Sequence, residues 1–407
     1  MISDVYQFNE SNGTASIKVQ KQQEHEFKFT SILSQTADQP SVYNFTVKPI
    51  MSQPFSSSGA SFASYGVSNS GKTYTILGEE SSAAGIVPRA LTQVFTEYSN
   101  FIADIPIVKV EKDEIKILDD NEVTEAMQAT KNLCQQSKDS GRHVFNWKHE
   151  DIQEEHDFET KIIDDSEDHF KIYVWISFVE IYNEKISDLF ASPKTGNLKI
   201  ISNHGNSFVQ GLSWLHVESI DQALELLQHG LRRVNYASTG INAHSSRSHT
   251  IFTINLISQR NMDYEFANYK FCDLAGAERA KNTGNVGERM KESGGINNSL
   301  SVLGKCIKAV SNNQANRKKE IVPVRESKLT LLLQSSLQGQ QKFVMIVNLL
   351  PTLECFDDNV NVLKFGSKAN KIVTKRVEAK KFPRLSYNFF MSQRSQMNSS
   401  VMEHEET

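Results

Sequence analysis

Cysteine is scarce in this chain. There are four in 407 residues, Cys134, Cys272, Cys306 and Cys355, far apart and never spaced C-x-x-C. That argues against a disulfide framework and a cysteine zinc site, and it fits a reducing compartment. Long apolar runs are missing too: none reaches the roughly 20 residues of a membrane-spanning helix, so no membrane partner is expected. The opening Met1-Ile2-Ser3-Asp4 lacks the basic-then-apolar pattern of a secretory leader. The expected location is cytosol or nucleus. Positive charge is not in excess either: 44 Lys and Arg against 48 Asp and Glu give a net charge of −4. This disfavours a general nucleic-acid binder, and contact with any polyanion must come from a local basic patch. What is present is ordinary globular material, 39% hydrophobic and 23% charged, enough for one large or two ordinary domains.

The pattern along the chain alternates strands and helices. Period-two stretches around Ile17 and Phe27 follow the turn Asn12-Gly13. A helix is expected from Ser41 with Phe45, Val47 and Ile50 on its apolar face, and another from Pro88 with Leu91, Val94, Phe95 and Tyr98. Residues 103–169 are rich in acids and read as a partly mobile surface insertion. The near-continuous apolar run from Lys171 to Phe178 suits a central strand buried on both faces. Further strands are expected at Thr250–Ser258, Tyr269–Cys272 and Phe343–Leu349, and helices at 220–233, 300–310, 328–334 and 359–373. Phe252, Ile254 and Leu256 alternate with polar Thr253 and Asn255. The result is an α/β fold, a central sheet with helices on both faces. From about residue 375 the chain turns polar, without heptads, and reads as a neck and tail.

Gly66 to Thr73 spells G-V-S-N-S-G-K-T, which fits the P-loop pattern G-x-x-x-x-G-K-[ST]. Gly66, Val67, Ser68, Asn69, Ser70 and Gly71 would wrap phosphate with backbone N–H groups. Lys72 would reach the β- and γ-phosphates, and the Thr73 hydroxyl would ligate Mg²⁺. Asp273 ends an apolar strand and precedes Leu274-Ala275-Gly276, a position from which an acid holds a Mg²⁺-bound water. The bare N–H of Gly276 can approach a γ-phosphate closely. Taken alone, Asp-x-x-Gly is also an ordinary strand-to-loop turn. Asn242 to His249, N-A-H-S-S-R-S-H, crowds hydroxyls, imidazoles and Arg247 into one loop. Ser245 and Ser246 could hold the lytic and Mg²⁺-bound waters, and Arg247 could pair with Glu278. A Ser-rich turn with a surface ion pair would look the same.

These blocks together resemble the P-loop, switch I and switch II of a kinesin motor domain, in family order. Phe178 to Glu184, Ile296 to Leu300, Val322 to Thr330 and Leu363 to Phe365 resemble four further family blocks. The resemblance runs from about Val5 to Lys375, so residues 1–374 are identified as a kinesin-type P-loop NTPase with a central mixed sheet. The P-loop wording and the acidic insertion resemble the mitotic kinesin-like, Subito-type subfamily of cytokinesis motors. The resemblance implies ATP and Mg²⁺ as cofactors, with Tyr74 beside the adenine and Thr73, Ser246 and Asp273 around the metal. It implies Ser245 positioning or relaying through the lytic water, and a closing Arg247–Glu278 salt bridge. It implies a helix from about Glu292 to Val310 that carries switch II motion to a microtubule. Tubulin is acidic, and Lys305, Lys308, Arg317, Lys318, Lys319, Arg325 and Lys328 form the matching basic cluster. A cytoskeletal, spindle location and dimerisation through segments outside 1–407 are implied in the same way.

Three substitutions depart from the family: Ala277 for the usual Ser, Asn298 for Lys and Val324 for an aromatic. The opening family strand ending R-x-R-P, which flanks the adenine, has no counterpart, so a first core strand is expected to be missing. That leaves two readings, a microtubule-stimulated ATPase and a microtubule-binding module with weak turnover. A guanine-reading N-K-x-D segment, which a GTPase would want, is not found.

Overall fold

The computed structural model describes residues 5–17, 25–79, 83–112, 114–141, 144–161, 170–191, 197–203, 206–236, 247–261, 263–278, 288–315, 320–370, 372 and 380–382. It opens on a small antiparallel sheet, β1 (Tyr6–Asn9), β2 (Thr14–Ile17) and β3 (His25–Lys28). Then come α1 (Gln39–Thr46), α2 (Lys48–Met51), β4 (Gly59–Tyr65), α3 (Lys72–Leu77) and α4 (Ile86–Glu97). The segment expected as an insertion carries β5 (Val108–Glu111), β6 (Glu114–Ile117), α5 (Asp120–Asp139) and α6 (His149–Glu154). After it run β7 (Phe170–Tyr182), β8 (Lys185–Asp188), β9 (Ile200–Asn203), β10 (Asn206–Val209), β11 (Leu215–His216), α7 (Ile220–Tyr236), β12 (Ser248–Arg260) and β13 (Asp263–Asp273). The chain continues through α8 (Glu288–Ala315), α9 (Lys328–Leu332), α10 (Gln334–Leu337), β14 (Lys342–Val347), α11 (Phe356–Ala369) and β15 (Lys380–Phe382).

Among the described residues the central sheet has eight strands, six in the path β11-β7-β12-β13-β4-β14, with β8 paired to β7 and β15 to β13 off that path. It is mixed: β4 runs parallel to β13 and β14, while β7, β12 and β13 pair antiparallel. Because side chains alternate across a strand, each strand feeds two cores. Phe178, Phe252 and Phe271 pack with α4 and α7 on one face, and Val179, Ile251 and Cys272 pack with α8, α9 and α11 on the other. This double burial explains why Thr253 and Asn255, the polar residues that alternate with Phe252, Ile254 and Leu256, are buried in the middle of β12. Asn255 Oδ1 accepts a hydrogen bond from Asn268 Nδ2 on β13, so its polarity is satisfied within the sheet.

Two other expectations change. The helix after Ser41 begins earlier and breaks into α1 and α2, and its buried stripe is Tyr43, Val47 and Met51. Phe45, expected on the apolar face, is 64% exposed. The acidic stretch 103–169 is less of a loop than its composition suggests. A capping box between Asp119 and Glu122 starts α5, a 20-residue helix. Thr130, Leu133, Cys134 and Ser137 then form a buried stripe at helical spacing against β11 and α7. The fully buried Arg89 of α4 bonds His156 through Nη1 at 2.7 Å, pinning the region after α6 to the core. Among the described residues no helix is long and apolar enough to cross a membrane. Of the polar stretch beyond residue 375 only Lys380–Phe382 is described, as the strand β15 on β13.

Candidate functional site

The site forms where β4 ends. Every residue of β4 is buried, so the strand is a fixed post from which residues 66–71 turn back toward α3. Two positive backbone angles make the turn, φ 63° at Asn69 and 95° at Gly71, the latter serving as N-cap of α3. Gly66 is required by space: a Cβ there would stand 2.2 Å from the backbone oxygen of Asn348. Asn348 was not singled out from sequence, yet it braces the loop. Its Oδ1 accepts from Ser64 Oγ and its Nδ2 donates to Thr75 Oγ1, both at 2.8 Å. The only sequence signal was a polar residue ending an apolar strand.

Three charged groups converge on this turn. Lys72 is buried, and its Nζ donates to Val67 O at 2.8 Å. Burial lowers its pKa, against the opposing charges of Asp273 and Glu278. Thr73 Oγ1 donates to Asp273 Oδ2 at 2.6 Å. Burial lifts the Asp273 carboxyl to about 6, despite the Thr73 hydrogen bond and Lys72. Its second oxygen, Oδ1, is buried without a partner. A threonine hydroxyl beside an unsatisfied carboxylate oxygen is an oxygen donor set that fits Mg²⁺, which binds through one or two carboxylates plus substrate phosphates. Among the described residues no three His, Cys, Asp or Glu converge as an all-protein metal cage.

Switch II leans on the P-loop. Glu278 Oε2 accepts from Ser68 N at 2.9 Å and Oε1 from Ser68 Oγ at 2.5 Å. Ala277 N donates to Gly66 O at 3.0 Å. Both oxygens of Glu278 are thus engaged by Ser68, whereas the sequence had pointed its carboxylate at Arg247. A Cβ on Gly276 would lie 2.2 Å from Glu278 Oε2, so a side chain there would push this carboxylate from its present position. Tyr74, expected beside the adenine, is 45% exposed at the rim, and its backbone oxygen accepts from Gln39 Nε2 at 2.6 Å.

Of the other sequence candidates, Ser245 and Ser246 lie outside the described residues; Arg247 is at the entry to β12. In the basic cluster, Lys305, Lys308 and Arg325 are exposed and Lys328 is half-buried. Lys305 Nζ pairs with Glu326 at 2.9 Å. Arg317, Lys318 and Lys319 lie outside the described residues.

A P-loop braced against an acid-bearing loop, on a mixed sheet, is the arrangement of a P-loop nucleotide-binding fold. The kinesin motor domain family matches residues 2–372, and the chain belongs to that family. It is 41% identical to the kinesin-like protein Subito of Drosophila melanogaster over 389 residues, covering 93% of this chain and 60% of the relative. Human KIF20A is 32% identical over 394 residues, covering 86% of this chain and 44% of the relative. The chain therefore spans about half the length of these relatives. Among solved structures, a fast kinesin superposes with a TM-score of 0.68 at 24% identity, over 94% of this chain and 89% of that one. A structure described as kinesin 6 gives 0.68 at 23% identity, over 88% and 93%. Both share the fold. Kinesin motor domains are a family of microtubule-stimulated ATPases that bind ATP with Mg²⁺.

Proposed function

We propose that residues 1–374 hydrolyse ATP and couple the release of γ-phosphate to microtubule binding, with a role in the spindle and cytokinesis. The observation that carries this reading is the pair of bonds from the P-loop to switch II, Thr73–Asp273 and Ser68–Glu278. Through them the phosphate cradle and the acid-bearing loop respond to one ligand. Thr73 and Asp273, with Ser246, would hold Mg²⁺, which when bound neutralises charge building on the transferring phosphate. Lys72 supplies a second, fixed positive charge there. Ser245 positions the attacking water, and the Gly276 N–H reads the γ-phosphate. When Arg247 engages Glu278, the carboxylate leaves Ser68 and the hydrolytic geometry closes. Lys305, Lys308, Arg317, Lys318, Lys319, Arg325 and Lys328 steer the motor to acidic tubulin. Ile321, 93% exposed beside them, adds an apolar contact. Residues beyond 375 act as a neck. Microtubule-stimulated ATP turnover, with Lys72→Ala as control, tests the proposal.

A second reading is favoured by β14. Among the described residues it pairs with β4 alone, and Phe343, Val344, Met345, Ile346 and Val347 are all only partly buried. An apolar strand at a sheet edge is a place for one more strand. On this reading the adenine side is incomplete in residues 1–407, and the chain holds microtubules with weak turnover. If microtubules raise ATP turnover of the 407-residue chain at least about tenfold, that reading is wrong.

A further inference from the structure

The motif at Asn242 to His249 carries a residue that the hydrolytic scheme leaves unused. His249 is the second residue of β12, and its ring is 2% exposed. It touches two elements that are far apart in sequence. Its Nδ1 accepts a hydrogen bond from Ala275 N at 3.0 Å. Its Nε2 lies 2.7 Å from Ser299 Oγ on α8. Ala275 is the residue before the Gly276 sensor, and α8 is the helix that runs out to the exposed Lys305 and Lys308.

The protons in this bridge can be assigned. A backbone N–H can only donate, so Nδ1 must be bare. The ring is neutral, because burial and the charge of Lys72 hold its pKa down at about 3. The proton is therefore on Nε2 and is donated to Ser299 Oγ. Each ring nitrogen has one directional partner, and the β12 backbone holds the ring through a strand paired on both sides. Apolar packing also joins the two elements, since Leu274, Leu300 and Leu303 share one core cluster. Packing of that kind is non-directional and tolerates sliding. The two hydrogen bonds fix a register.

We propose that His249 is a positioning residue that locks the sensor loop to α8, so that displacement of Gly276 and displacement of the helix are one motion. The proposal rests on the sensor role of Gly276 given above. It assigns the transmission step to one imidazole, held between Ala275 and Ser299.

The test reads transmission directly, by amide hydrogen exchange of the full 407-residue chain. Exchange is compared with and without Mg²⁺ and a non-hydrolysable ATP analogue, for wild type, Ser299→Ala, Ser299→Thr, His249→Gln and His249→Asn. Asn keeps an acceptor near the Nδ1 position, and Gln keeps a polar end near Nε2. In wild type, residues 273–278 and α8 should respond together. In Ser299→Ala, which removes only a hydroxyl, the loop should still respond while the α8 response falls at least about threefold. Ser299→Thr, which restores the hydroxyl, should recover it. Both His249 variants should uncouple, because each keeps one bond and loses the other. In turnover, Ser299→Ala should lower microtubule-stimulated kcat about tenfold with the KM for ATP changed less than about threefold. An α8 response as large in Ser299→Ala as in wild type overturns the proposal, as does an α8 that ignores nucleotide in wild type. Absence of microtubule stimulation in wild type is a separate result, and it counts against the motor reading alone.

Discussion

Asp273→Asn should make the nucleotide-free protein more stable while abolishing its turnover. Burial holds the carboxyl at about 6 in the fold, against 3.8 for an ordinary Asp. The folded state therefore binds this proton more tightly than the unfolded state does. The sign follows: the carboxyl costs nothing below about pH 4, and its cost grows as pH rises through 6. Above that it reaches about 3 kcal/mol. Asparagine removes the buried charge and keeps an oxygen to accept from Thr73 Oγ1. Lys72 loses a compensating partner, which takes back part of the gain. A net stabilisation of about 1–2 kcal/mol remains, or a few degrees in Tm. Thermal denaturation without nucleotide, at pH 7.5 and pH 4.5, checks it. The variant should melt higher at pH 7.5 and close to wild type at pH 4.5. An unchanged or lower Tm at pH 7.5 would refute the claim that the orphaned Oδ1 marks a carboxylate held ionised for a cation.

Gly66→Ala should weaken ATP binding at least about tenfold in a titration, because its Cβ would overlap the backbone oxygen of Asn348. Acid should destabilise the protein through four buried histidines: burial holds His156, His216 and His229 at about 4 and His249 at about 3. Their folded pKa values lie below the unfolded 6.5, so the stability they contribute is complete above pH 6.5 and is lost as pH falls toward 4, about 3 kcal/mol each. His216→Phe should flatten that part of the Tm–pH curve, and an unaltered slope would count against it. Reversing Lys318 and Lys319 to Glu, or Lys308 and Arg325 to Glu, should lower microtubule affinity in cosedimentation, most strongly at low salt. Unchanged affinity at low salt removes these residues from the filament face.

The parts of the site legible in the sequence were those set by backbone chemistry. The P-loop glycines, Lys72, Thr73 and Asp273 announce themselves because a phosphate cradle needs those residue types at that spacing, and the structure sets Thr73 Oγ1 2.6 Å from Asp273 Oδ2 and Lys72 Nζ 2.8 Å from Val67 O. Asn348 and Ser299 were not legible, because their roles depend on which strands and helices lie side by side. The motif containing His249 was visible, but its two partners were not. Strand positions were found more readily than their burial. The alternation of Thr253 and Asn255 with apolar neighbours left their burial open, because alternation cannot distinguish a solvated face from a second core. Acidic composition likewise hid α5, whose buried stripe of Thr130, Leu133, Cys134 and Ser137 is only partly apolar. Charge signals solvent on one face of a helix and says nothing of the other.

The central claim, that this P-loop reports ATP hydrolysis to a microtubule-facing surface, is tested most directly by steady-state ATPase on the 407-residue chain as microtubules are titrated. Turnover should rise to a plateau at least about tenfold above basal and vanish in Lys72→Ala. ATP turnover that is the same with and without microtubules would contradict it.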